Sequence, residues 1–97
     1  MKIEILSIAL VDIQSDQHFY EQKQEGLGVS FWICWFSTLM LFMLYAGIHQ
    51  QFFGYYRARS KRFPYAIYYR VSEQTVQVWR VLDCRQKPSR IADALRT

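Results

Sequence analysis

The chain has no CxxC pair and no cysteine framework. Its two thiols lie far apart, Cys34 inside an apolar run and Cys84 at the end of an apolar strand pattern. A disulfide-stapled fold is excluded, and buried free thiols in a reducing cytoplasm are the expectation. The N-terminal stretch is also not expected to be a secretory signal. MKIEILSIALVD carries Glu4 and Asp12 and shows no small-residue cleavage pattern. There is no internal repeat and no low-complexity segment. Hydrophobic residues reach 52% and aromatics 18%, which excludes disorder. No cofactor motif is present. His18 and Glu21, with Asp16 near them, are too few ligands in one place for a metal. His49 is expected to be a loop or packing residue.

The longest absence is of charge. SFWICWFSTLMLFMLYAGI, residues 30–48, contains no ionisable group apart from the Cys34 thiol and the Tyr45 phenol. A bilayer crossing needs roughly 20 apolar residues, and residues 29–48 have that length. Nine of them are Val, Ile, Leu or Phe, worth roughly −3 to −5 kcal/mol on an insertion scale before Ser30, Ser37, Thr38 and Gly47 subtract. Hydropathy therefore permits a span with a basic cytoplasmic tail. Two features favour a core helix. Ser30, Cys34, Ser37 and Thr38 form a stripe of small residues that would let a helix at residues 9–25 approach closely. The strands that follow also need an apolar cover, and this run is the only large one available.

What is present is unevenly charged. Residues 1–56 sum to −3 and residues 57–97 to +7, giving the net +4. A basic second half suggests an anionic partner, or a solvated face.

At 97 residues the chain has room for one domain, residues 1–97. KIEIL alternates and predicts a short strand. Ser7 is the expected N-cap of an amphipathic helix over 9–25, with Leu10, Ile13 and Tyr20 on its inner face and Gln17 interrupting. Gly26-Leu27-Gly28 ends it. The apolar run is the second helix, closed by Gly47, and GIHQQFFG is a loop. GYYRARS and PYAIYYRV read as strands, with SEQ at 72–74 as a break. TVQVWRVLDC follows, with Val76 and Val78 on one face and Trp79 and Val81 on the other. Pro88 and Ser89 open a last helix with Ile91 and Leu95 at i, i+4. The predicted class is α+β: an N-terminal strand, an antiparallel helix pair, a curved antiparallel sheet of three further strands and a short C-terminal helix.

RFPYAIYYRV followed by TVQVWRVLDCRQKP resembles the RelE/ParE superfamily, the toxin half of type II bacterial toxin–antitoxin modules. In that family an arginine-bearing strand leads into an "rFPY-x-iyY" strand, and a second apolar strand ends in an "R-x-x-P" element. Here these are Arg57 in GYYRARS, Arg62 to Tyr69, and Arg85 to Pro88. FYEQKQEGLGVSF is similar to the family's link between two helices, and YAGIH to one subgroup's exit from the second. The resemblance runs over nearly the whole chain and implies the same element order.

It also implies function. The RelE-like branch cleaves messenger RNA in the ribosome. It uses sheet cations to stabilise phosphate charge and a C-terminal Tyr or His to move the proton. Arg57, Arg59 and Arg85 match basic positions of that cluster, extended by Lys61 and Arg62. Ala66 stands where the ribonuclease has another Arg. No His follows His49 and no Tyr follows Tyr69, which points to the ParE-like branch and DNA gyrase as target. A cognate antitoxin would cover apolar anchors on the second helix: Trp32, Trp35, Phe36, Leu39, Phe42 and Met43. That helix is more apolar than in similar sequences. The bland reading of Arg57, Arg59 and Lys61 is a solvated strand face, and that of the tyrosines is core packing. An inactive module that only soaks up antitoxin is a third reading.

Overall fold

The computed structural model describes residues 2–47, 50–60 and 62–96. The side chains of residues 42–45 lie outside the described set. The elements run β1 (Lys2–Ile5), α1 (Ser7–Lys23), α2 (Leu27–Tyr45), β2 (Gln51–Phe52), β3 (Tyr55–Arg59), β4 (Tyr65–Ser72), β5 (Thr75–Asp83) and α3 (Pro88–Arg96). The α+β class and element order agree with the sequence reading, with two corrections to the sheet. GIHQQFFG was expected to be a loop, but Gln51 and Phe52 pair with β3, so the described residues hold four further strands rather than three. The sheet is also mixed. Its order is β1-β5-β4-β3-β2, and β1 runs parallel to β5, Lys2 opposite Thr75 and Ile5 opposite Val78.

Both faces of this sheet are covered in its middle. Tyr65, Ala66, Ile67, Tyr68 and Tyr69 are consecutive and all buried, which a strand allows only when something packs on each side. The helix pair covers one face. There Ala9 and Ile13 of α1 and Phe31, Trp35 and Leu39 of α2 meet Ala58, Ile67, Tyr69, Val76, Val78 and Val81. Helix α3 covers the other, setting Ile91 and Leu95 on Tyr55, Ala66, Tyr68 and Leu82. Pro88 is its first residue, where a missing N–H costs nothing.

The Val81 expectation fails for an identifiable reason. Tyr68 pairs with Arg80, but Tyr69 pairs with Val78, so the register skips Trp79. This bulge reverses the alternation beyond it. Val81 thus returns to the face of Val76 and Val78, while Trp79 packs on the α3 side.

Helix α1 starts at Ser7, with Leu6 at the N-cap and no side-chain cap. Its inner face is Ala9 and Ile13, not Leu10, which is exposed. Gln17 interrupts the apolar face because the helices cross there. A Cβ on Gly28 would lie 2.9 Å from the Gln17 carbonyl oxygen. Glu21 then closes the hairpin, its carboxylate accepting from the amides of Gly26 (3.1 Å) and Gly28 (3.0 Å). An anion at a helix N-terminus is favoured there. The turn itself uses Gly26 at φ +86°.

In the small-residue stripe on α2, Cys34 faces the strands. Cys34 Sγ lies 3.4 Å from Ser60 Oγ, and the Tyr65 hydroxyl donates to that sulfur at 3.7 Å. Thr38 and Ser37 donate to the carbonyls one turn back. Of these four, Cys34 meets the β3–β4 connection, at Ser60. Among the described residues, no helix is long and apolar enough to cross a membrane. Packing gives the more informative fact: Phe31, Trp35 and Leu39, at i, i+4 and i+8, lie on the sheet.

One ion pair ties three elements together. Arg80 Nε donates to Asp12 Oδ2 at 2.7 Å, and its terminal nitrogens reach Asp12 Oδ1 and the Ala94 carbonyl. Asp12 Oδ2 also accepts from the Val81 amide at 3.0 Å. Strand β1 ends opposite Val78, so the Val81 amide has no ladder partner on that side, and Asp12 supplies one. Arg80 meanwhile sets a cation at the C-terminal end of α3.

Candidate functional site

On β3, Arg57 and Arg59 alternate with Ala58. Ala58 faces the helix pair, so the two arginines lie on the opposite face of the sheet. Their cross-strand partners are Tyr68 and Ala66. Arg57 is laid on the Phe52 ring, its guanidinium carbon 4.2 Å from the centroid. Arg59 is exposed. Two cations of the sequence-derived cluster are therefore brought together beside a tyrosine.

That tyrosine is buried, and its hydroxyl has no hydrogen-bond partner among the described residues. Burial raises its pKa. Arg57 and Arg59 pull the other way, close enough to act on the phenol although Arg57 is not aligned for a hydrogen bond. Sequence spacing had singled out Tyr68 only as a stacking or core aromatic. Its place beside the arginines depends on strand pairing.

The rest of the cluster is dispersed. Arg62 is exposed in the β3–β4 connection, 5.5 Å over the Phe63 ring. Arg85 follows β5 and is held by Asp83, Nε to Oδ1 at 3.1 Å and a terminal nitrogen to Oδ2 at 2.8 Å. The guanidinium in turn holds the Asp83 carboxyl below its usual range. Lys61 lies outside the described residues. Two arginines absent from the expected cluster prove prominent. Arg80 is structural, and Arg70 lies 4.2 Å over Tyr55 and 5.1 Å over Trp79.

The expected anchors on α2 separate by face. Trp32 and Phe36 are exposed, at 43% and 49%. Trp35 and Leu39 are a correction: they are buried in the chain's own core, at 1% and 5%, and cannot serve a partner without unpacking. The helical period divides these residues, since 32 and 36 share one stripe and 35 and 39 another. The side chains of Phe42 and Met43, and all of His49, lie outside the described residues. Val29, Ile33, Met40 and Leu41 extend the exposed set, so the outer stripe of α2 is apolar and uncharged.

A third feature lies between α1 and the sheet end. Asp16 lines a cleft of about 340 Å³ with Ser15, Phe19, Tyr20, Pro64, Tyr65 and Asp83. Burial, then the charges of Asp12 and Asp83, push its carboxyl up to about 7. Asp12 and Asp83, each paired with an arginine, set their carboxylates close enough to disfavour a further negative charge on Asp16. Nothing in the local sequence could have revealed this, because Asp83 comes from the far end of β5.

No protein-family profile and no curated protein matches this chain.

Proposed function

We propose that this protein is the toxin half of a type II toxin–antitoxin module of the RelE/ParE type, arresting growth until a cognate antitoxin binds it. The reading rests on the resemblance of its sequence motifs. The observation that carries it in the structure is the placing of Arg57 and Arg59 together on the sheet face opposite the helix pair. A cationic sheet face suits an anionic target or an acidic antitoxin segment. The exposed stripe of α2, with Trp32 and Phe36, would take that antitoxin's apolar anchors. The seating of α2 on the sheet favours this reading over a single membrane span.

DNA gyrase is the preferred target over ribosome-bound messenger RNA. The phenol across the strand from Arg57, Tyr68, is buried with a raised pKa. It is poorly placed to exchange a proton with an outside 2′-hydroxyl. Expression of the chain alone should stop growth, and co-expression with the protein encoded beside it should restore growth. A paired assay then separates targets: loss of supercoiling by purified gyrase is expected, without cleavage of messenger RNA on translating ribosomes. Arg57→Ala should relieve the arrest while leaving the fold intact. Harmless accumulation of folded wild-type protein refutes the toxin reading, and cleavage without gyrase inhibition reverses the target.

A further inference from the structure

At the end of β4 remote from Arg59, a cleft of about 390 Å³ opens between the β2–β3 turn and the last turn of α3. It is lined by Phe53, Tyr55, Arg70, Ala92, Leu95 and Arg96. Arg59 pairs with Ala66, and Arg70 lies four residues further along the strand, roughly 13 Å away. This cleft is thus distinct from the Arg57 and Arg59 pair.

Three observations converge on it. The first is Arg70 itself. Its guanidinium lies over Tyr55 and Trp79, and among the described residues it has no carboxylate partner. A guanidinium stacked by its face keeps its N–H edges for a bidentate oxyanion. The second is Arg96, a further cation on the rim. It is 77% exposed and, among the described residues, is paired with Asp93 at 3.2 Å. Such a surface pair contributes little and exchanges readily. The third is Phe53, which has φ +53°. A bulky side chain in that region costs about 1 kcal/mol or more. The turn nevertheless presents the ring, 49% exposed, on the cleft wall. Tyr55 forms the floor, fixed by its hydroxyl donating to the Leu95 carbonyl at 3.1 Å.

We propose that this cleft binds a nucleoside monophosphate: a phosphate monoester on a sugar that also carries a flat base. Arg70 takes two phosphate oxygens, Arg96 swings from Asp93 to a third, and the base lies against Phe53. A dianion is preferred over a carboxylate because two guanidiniums face one small space. The site is independent of whether the chain acts as a toxin.

The test is an amide and indole NMR titration of the full chain with AMP, inorganic phosphate and adenosine. The Trp79 indole N–H, which has no partner among the described residues and whose ring lies under Arg70, is the reporter. AMP should give saturable shifts there and at Phe53 and Tyr55. Phosphate should shift the same signals more weakly, and adenosine should shift them hardly at all. Binding should weaken severalfold from pH 7.5 to 5.5 as the monoester dianion takes up a proton and becomes the monoanion. Arg70→Gln should weaken AMP about tenfold. Arg96→Gln, at a more exposed position, should do so severalfold and guards against misfolding of the first variant. No saturable shift at millimolar AMP, equal binding of adenosine, or unchanged affinity in both variants overturns the proposal.

Discussion

Gly28 shows how one residue can set a helix–helix contact. In a helix interior, Ala is ordinarily better than Gly by about 1 kcal/mol. Here the added Cβ would meet the Gln17 carbonyl oxygen at 2.9 Å and Glu21 Cβ at 3.2 Å. Backbone cannot step aside as a flexible side chain can. Gly28→Ala should therefore destabilise the fold by about 1–3 kcal/mol despite its helix propensity, the cost of overpacking. A lower denaturation midpoint with an unchanged slope is the expected reading; a higher midpoint would mean that the helices can separate without loss. Asp16 makes a residue-scale prediction with a pH sign. Its folded pKa, about 7, lies above the ordinary 3.8. The folded state thus favours the neutral acid, and this group's contribution to stability is greatest below about pH 4. It declines as pH rises toward 7 and then levels. Asp16→Asn should remove that decline and raise stability at pH 8 by about 1–2 kcal/mol, after allowance for partial exposure. Thermal melts of both proteins from pH 4 to 8 would check it, and parallel curves would refute it.

Among the elements, the β4–β5 hairpin is built against local preference. Its turn residues Glu73 and Gln74 have φ +47° and +67°, between the paired Ser72 and Thr75. A two-residue turn with both φ positive suits the twist of the flanking strands, but it favours Asn-Gly. Replacing Glu73-Gln74 by Asn-Gly should raise stability by about 0.5–1.5 kcal/mol, read as a higher Tm. No gain would show that the pairing of β4 and β5 already dominates. The sequence marked this as a break, yet neither Glu nor Gln signals a tight hairpin. Helix α3 was legible from Ile91 and Leu95 because one i, i+4 pair suffices to face a sheet. Helix α1 was only partly legible. Its apolar residues surround it, so the expected inner residue Leu10 is exposed, while Ala9 and Ile13 lie in the core.

On the scale of the molecule, the layers divide its chemistry. The helix-pair layer ends in an uncharged outer stripe, and the opposite sheet face carries the arginines. An apolar stripe of this size on an isolated chain favours association. Replacing Trp32 and Phe36 together by Ser should leave the melting temperature within a few degrees, because neither is in the core. It should also shift sedimentation toward a smaller species. Trp35→Ser should instead unfold the chain or cost about 3–5 kcal/mol. Equal effects at positions 32 and 35 would refute the assignment of faces.

The sequence alone determined the α+β class, the order of the principal elements, the end of α2 near Gly47 and the basic character of β3. These follow from periodicity, breakers and charge, which are properties of neighbours along the chain. Tertiary structure alone decided the parallel docking of β1, the bulge at Trp79 that sends Val81 to the helix side, and the burial of Trp35 and Leu39 beside exposed Trp32 and Phe36. It also decided the meeting of Asp12 with Arg80, of Asp16 with Asp83, and of Arg70 with the aromatic rings of Tyr55 and Trp79. Each of these joins residues remote in sequence or depends on which side of an element a neighbour covers. An α2 that is apolar almost all round carries no mark of its inner face, and only the sheet against it supplies one.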